Sequence, residues 1–174
     1  LLALGIAGTP LSPARPIPAP IASAIARDMT DAQILGFVAQ VDAAEIEEGK
    51  LALTKATDPG VRSFAQMIIN DHQKSMREGT ALAKRLAVTP VMNPDTAMAK
   101  EHAEFMVKLN GLSGKDFDKA FVEHGVEDHS KVIEKVNDEL IPDARSPDLK
   151  THLKTMTPTL QKHEMQAKAL ENKV

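Results

Sequence analysis

The chain has 174 residues, which is enough for one domain with a hydrophobic core, and its formal net charge of -3 gives no indication of a nucleic-acid or acidic-membrane partner. It contains no cysteine, which excludes disulfides, thiolate metal ligands and a cysteine nucleophile. Tyrosine and tryptophan are also absent, and the abundance of alanine, leucine, lysine, glutamate and methionine favours helices.

Residues 1–29 form an apolar and then proline-rich segment, which we expect to lie outside the core. Its apolar part is too short to span a bilayer, which requires about 20 residues. Two interpretations are open. The segment is either the remnant of an export signal, with Ala22-Ser23-Ala24 as the cleavage site, or an extended arm. Such an arm would lie along a protein partner or the surface of a membrane complex.

Residues 30–174 form the predicted domain, which begins with two long helices. Thr30 and Gln33 have the spacing of a capping box at the start of the first helix. Asp58 and Pro59 predict the start of the second helix, which should end before Pro90. A second cap-then-proline pair, Asn93-Pro94, then predicts a short helix to about Leu109.

Two more long helices complete the predicted domain. Ser113 should cap the third long helix, and Ile141-Pro142-Asp143 should end it. Ser146-Pro147 starts the last helix, in which Pro158 should cause a kink or remove one backbone hydrogen bond. Because no segment alternates polar and apolar residues with period two, we predict an all-α fold.

The helix lengths match a ferritin-like four-helix bundle, with the short helix in the long connection between the second and third long helices. An up-and-down bundle with an extra helix outside it is the alternative.

One ionisable residue interrupts the apolar face of each long helix: Glu45, His72, His129 and His163. Counted from the turn near residue 58, Glu45 and His72 lie at similar heights and should face each other. Counted from the turn at 141–146, His129 and His163 differ in height by about 7 Å, at about 1.5 Å per residue.

These four residues predict a metal site in the middle of the bundle. Neutral imidazoles and a carboxylate are ligands for zinc, iron or copper. Asp71 and Asp128 would orient the ligands from outside, while Glu48 and His124 are reserve ligands. The alternative is a buried Glu/His hydrogen-bond network that fixes the helix register without a metal. We expect His102 and His152 to have ordinary surface roles.

The stretches AEIEEGKLALTKATDPGVRSFAQMIINDHQKS, LSGKDFDKAFVEHGVEDHS and TLQKHEMQAKAL resemble the exported ferritin-like family known as domain of unknown function 4142, often labelled predicted outer-membrane protein. The resemblance covers about residues 31–170. It implies a secretory signal, a periplasmic or cell-envelope location and a ferritin-like bundle. It implies no established reaction.

The chain departs from the di-iron proteins of ferritin-like fold, which carry Glu-x-x-His on two helices. Here the residues three positions before His72, His129 and His163 are Ile69, Val126 and Leu160. A ferroxidase or oxygenase assignment would therefore rest on the fold alone.

Two functions follow as hypotheses. The first is an exported bundle with one buried metal site. The second is a non-enzymatic accessory subunit of a larger membrane-associated assembly, docked through residues 1–28. A hydrolase has little support, because the sequence contains no nucleophile motif and no phosphate-binding loop.

Overall fold

The structure is a computed structural model that describes residues 29–93 and 96–174. The predicted export signal or arm lies outside these residues. The described part of the chain contains helices and no strands. The helices are α1 (Asp31–Lys55), α2 (Pro59–Arg85), α3 (Ala97–Gly111), α4 (Gly114–Lys135), a π-helical turn (Val136–Leu140), α5 (Ile141–Asp143) and α6 (Pro147–Glu171). Within the described ranges, no helix is both long enough and apolar enough to cross a membrane.

Three helix starts follow the predicted capping. The Thr30 hydroxyl accepts a hydrogen bond from the backbone N–H of Gln33, whose side chain in turn accepts the Thr30 N–H. Asp58 caps α2 and Ser146 caps α6, each with a proline in the first turn. These local signals therefore place the starts of three of the long helices.

The prediction was wrong at the start of the short helix. Helix α3 begins at Ala97, and the hydroxyl of Thr96 caps it by accepting the N–H of Ala99 at 3.2 Å. The Thr96 hydroxyl thus satisfies a free N–H at the helix start. Ser113 does occupy the cap position of α4, but its side chain makes no capping hydrogen bond.

Helix α4 also continues further than its apolar pattern suggested. The chain passes through the π-helical turn into α5 and leaves the helical path only after Asp143. Pro142 has no N–H and would clash with the carbonyl four residues earlier in a regular helix. The wider π turn directly before it relieves this clash. The helical rod that carries His129 therefore ends at Asp143, within the predicted stop signal.

The four long helices form the predicted bundle. Helices α1 and α2 form one closely packed pair, and α4 and α6 form the other. The pairs meet where α2 packs on α6 and α1 packs on α4. Helix α3 lies in the long connection between α2 and α4 and contacts α1 and α4. The connection crosses closely over α1, since a Cβ on Gly36 would lie 1.9 Å from the carbonyl oxygen of Val91.

Two hydrophobic clusters fill the interior. The members of the first cluster include Ile34, Leu82, Val132 and Leu153. The members of the second include Ala52, Phe64, Phe121 and Ala167. Every long helix contributes to both clusters. Between the two, all four helices place buried polar residues: Asp42, Glu45, Glu48, His72, His129 and His163. The polar residues thus form a layer across the middle of the bundle.

Asp118 on α4 fixes the turn between α1 and α2. Its carboxylate accepts hydrogen bonds from the backbone N–H groups of Thr57 and Asp58, at 3.0 and 2.9 Å, and from the Thr57 hydroxyl. Asp118 is only 1% exposed. One carboxylate on α4 therefore satisfies the free donors of the first hairpin's turn.

We expect Asp118→Ala to lower the free energy of unfolding by about 2 to 4 kcal/mol, because the substitution leaves buried backbone donors without an acceptor. Urea denaturation followed by circular dichroism measures this loss. Asp116→Ala, an exposed position in the first turn of the same helix, is the matched control and should cost less than about 1 kcal/mol. Equal effects of the two substitutions would contradict the role given to Asp118.

Candidate metal centre

The structure brings together three of the four predicted ligands. One ring nitrogen from each of His72, His129 and His163 lies within 4.8 Å of the other two. These side chains are almost fully buried, at 3%, 2% and 0% exposed. They come from α2, α4 and α6, so the cluster exists only when both helix pairs have packed together.

The expected height difference between His129 and His163 was wrong, because the rings are in direct contact. The prediction ended the third long helix near residue 140. Measured from the true helix ends, His129 lies 14 residues before Asp143 and His163 lies 16 after Pro147. A difference of two residues is about 3 Å, which side chains can bridge.

Each imidazole has one nitrogen that faces away from the cluster and makes a hydrogen bond. His72 Nδ1 lies 2.9 Å from Asp42 Oδ1, and His163 Nε2 lies 3.0 Å from Asp71 Oδ2. His129 Nδ1 lies 2.9 Å from the carbonyl oxygen of Gly125. A carbonyl oxygen or a carboxylate only accepts, so all three outward nitrogens carry the proton.

The three inward nitrogens of the neutral rings are therefore unprotonated. His129 Nε2 and His163 Nδ1 lie 3.1 Å apart, and His72 Nε2 is buried with no hydrogen-bond partner. A proton between the rings would create a buried cation, which burial opposes. Burial, together with the neighbouring histidines, lowers the pKa of His129 to about 3. Burial also lowers the pKa of His163 to about 4. At neutral pH, the lone pairs of His129 Nε2 and His163 Nδ1 thus face each other.

This arrangement fits a metal ion. Metal-bound histidines generally donate their second N–H to a carboxylate or a backbone carbonyl, which fixes the tautomer and orients the ring. Each of the three histidines has such an outward acceptor, and Asp71 is in the outer position predicted for it. His72 Nε2 has no hydrogen-bond partner among the described residues, and a metal ion in the cluster would give it one.

Glu45 lies beside the cluster, on the other side of the His129 ring. Its Oε1 is 3.7 Å from His129 Nδ1, the nitrogen that is bonded to Gly125. Burial, followed by the charges of Glu48 and Asp128, raises the pKa of Glu45 well above its usual value. Its carboxyl group hydrogen-bonds Asp128, whose own pKa is raised by burial. Asp128 therefore contacts Glu45 and not the outward nitrogen of a clustered histidine.

The reserve ligands form a second polar group near α3. Glu48 Oε1 lies 2.8 Å from His102 Nδ1 and 3.4 Å from His124 Nε2. His102 is thus not an ordinary surface residue, because α3 holds it against a buried carboxylate. Its hydrogen bond to Glu48 raises the pKa of His102, while the hydrogen bonds from His102 and His124 lower the pKa of Glu48.

Asp42 was missed by the sequence reasoning. It is 1% exposed and holds the ring of His72. A signal was present, because Asp42 lies four residues after Val38 and three before Glu45, on the same buried face. Ile34, Leu35, Val38 and Val41 around it made that part of the helix look purely apolar.

The chain was compared with known proteins. Residues 17–170 match the model of a family described as a domain of unknown function, DUF4142. No curated protein is significantly similar to the chain. A solved structure, a DUF305 fragment from Deinococcus radiodurans, superposes with a TM-score of 0.68 at 19% identity, over 81% of this chain and 94% of that chain. This helical fragment has a ferritin-like fold, so the likeness confirms the predicted fold.

We expect the Glu48–His102 pair to make stability depend on pH. The raised pKa of His102 contributes stability that is complete below about pH 6.5 and lost as the pH rises through the folded value. The lowered pKa of Glu48 contributes stability above about pH 4.5 that is lost as the pH falls through its folded value. The difference in unfolding free energy between the wild type and His102→Gln should therefore be largest between these two pH values.

Urea titrations of both proteins from pH 4 to 9 measure this difference. The exposed Glu104→Gln variant on the same helix is the control, with no such maximum expected. A difference that stays constant over the whole pH range would rule out the ion pair.

Proposed function

The chain belongs to the DUF4142 family, and since the function of this family is unknown, we propose from the site alone that the protein binds one transition-metal ion through His72, His129 and His163. One observation carries the proposal. All three rings bond outward with one nitrogen, so that three buried, unprotonated nitrogens converge within 4.8 Å.

The donor set restricts the metal. Neutral imidazoles suit zinc, copper and iron, whereas magnesium and calcium prefer oxygen ligands. Asp42 and Asp71 lie behind two of the rings, and their carboxylates offset the charge of a divalent cation in the buried site. A metal held by three imidazoles keeps a coordination position open to an outside ligand, which it can bind and polarise.

The surroundings favour one metal ion rather than two. A di-iron site in a four-helix bundle uses carboxylates on all four helices. Here Ile69, Val126 and Leu160 occupy the positions where a Glu-x-x-His pattern would place carboxylates. Glu45 faces Asp128 behind His129, on the side of the ring away from the inward nitrogens. The proposed role is therefore mononuclear metal binding rather than ferritin-like iron oxidation.

Metal analysis of protein purified without a histidine tag tests this proposal. We expect one metal ion per chain from zinc, copper or iron, and a lower melting temperature after a chelator removes it. His163→Gln should weaken metal binding by at least about a hundredfold, because it removes one of three ligands. The control variant is His102→Gln, which replaces a histidine outside the cluster. It should bind the metal as the wild type does.

The register-fixing alternative predicts a different result. In that case the wild type binds none of the three metals in titration calorimetry, and the chelator leaves its melting temperature unchanged. This result would refute the metal proposal.

A second substitution tests whether the carboxylate that holds the His72 ring contributes to metal affinity. Asp42→Asn keeps the shape of the side chain but removes the charge that orients and polarises His72. We expect metal affinity to fall by about 10- to 100-fold with the stoichiometry still one to one. Competition with a chromophoric chelator measures the affinity. An unchanged dissociation constant would show that the Asp42 contact is not coupled to the metal.

We also propose that the protein is exported to the periplasm or cell envelope, in keeping with the signal-like pattern of residues 1–24. Docking onto a larger assembly through residues 1–28 is the alternative role, and it is compatible with a metal site in the bundle. Fractionation of cells that express the full-length gene product would find the protein in the cytoplasm if the export proposal is wrong.

A further inference from the structure

Unpaired polar atoms concentrate next to the histidine cluster. In residues 29–93 and 96–174, four buried side-chain atoms have no hydrogen-bond partner: Asp42 Oδ2, His72 Nε2, Ser75 Oγ and His152 Nε2. His72, Ser75 and His152 line one cavity of about 80 Å³ between α2 and α6. Asp42 is bonded to the first of these histidines. Buried polar atoms are normally satisfied, so their concentration here indicates a site that receives a polar molecule.

The cavity, which we call the α2–α6 cavity, leads to the proposed metal site. Two of the clustered histidines, His72 and His163, line it, and so does His152. His152 and His163 are eleven residues apart on α6, which is about 16 Å along the helix. Met156 and Leu160 form an apolar wall between them.

Ser75 is a further polar group that lines the cavity. It lies three residues after His72, so both side chains project from the same face of α2. Its hydroxyl can donate one hydrogen bond and accept others, yet it has no partner in the described part of the chain. A ligand bound to a metal on the three histidines would be within one helical turn of this hydroxyl.

We propose that the α2–α6 cavity admits a small ligand of two or three heavy atoms to the open position of the metal, where the Ser75 hydroxyl donates a hydrogen bond to it. This inference rests on the proposed metal binding. The volume of about 80 Å³ holds a few water-sized groups, which matches a ligand of this size.

The cavity itself is a poor second metal site. Serine hydroxyls are weak ligands, and His72 and His163 already direct their inward nitrogens at the cluster. The unpaired atoms His72 Nε2, Ser75 Oγ and His152 Nε2 come from two helices, and His72 and His152 belong to different ones. They therefore suit a path with hydrogen-bonding groups better than a coordination sphere.

Azide titration of the copper(II)-loaded protein tests the inference. Azide has three heavy atoms and produces a ligand-to-copper charge-transfer absorption when it binds. We expect saturable azide binding in the wild type. Ser75→Ala should weaken it by about fivefold, the loss expected for one hydrogen bond of about 1 kcal/mol. Ser75→Leu should abolish it by filling the cavity.

Copper affinity of the variants should stay within about twofold of the wild type, because Ser75 is not one of the three ligands. Ser63→Ala, at an exposed position on the same helix, is the matched control and should bind azide normally. Ser75→Ala removes a single atom, so it tests the idea even where Ser75→Leu fails to fold.

Each outcome has a separate meaning. If copper binds but azide produces no new absorption, or binds equally to the wild type and both Ser75 variants, the cavity proposal is wrong and the metal proposal stands. If the wild type binds none of copper, zinc and iron, both proposals are wrong.

Discussion

The arrangement depends on the cost of burying polar groups in the middle of a helical bundle. Three imidazoles lie almost fully buried between two hydrophobic clusters, where each unsatisfied nitrogen costs free energy. Asp42, Asp71 and the Gly125 carbonyl satisfy one nitrogen of each ring. These outward bonds fix which nitrogen carries the proton, and the second nitrogen of each ring must then point inward. The convergence of three unprotonated nitrogens follows from this choice of acceptors.

The ring of His129 separates two chemical environments within the polar layer. On one side are the inward nitrogens of the cluster. On the other side Glu45 and Asp128 form a carboxyl pair, whose pKa values are raised chiefly by burial. Helix α3 closes this second side and brings His102 to Glu48. The short helix in the long connection therefore provides a partner for a buried charge as well as a link between helix pairs.

The bundle fold is shared with a DUF305 fragment at 19% identity, and a likeness at that level establishes the fold alone. Function therefore has to be argued from the side chains that this chain places in the polar layer. Those side chains belong to two neighbouring features, the histidine cluster and the α2–α6 cavity. The histidine cluster lies deep in the bundle, and His72 and His163 also line the α2–α6 cavity together with Ser75. A buried metal can exchange or bind ligands only if a path to it exists.

Local signals in the sequence were sufficient for the all-α fold and for the starts of three long helices, because caps, prolines and apolar spacing act within a few residues. Glu45 was expected to face His72, but Asp42 makes that contact. The local signals also identified His72, His129 and His163 as interruptions of apolar faces. Only the tertiary structure decided that these three rings meet, that Glu45 lies behind one of them and that Asp42 holds another. These outcomes depend on rotamers, on the continuation of the helix through Pro142 and on the packing of one helix pair against the other. None of these is encoded in the spacing of residues along a single helix.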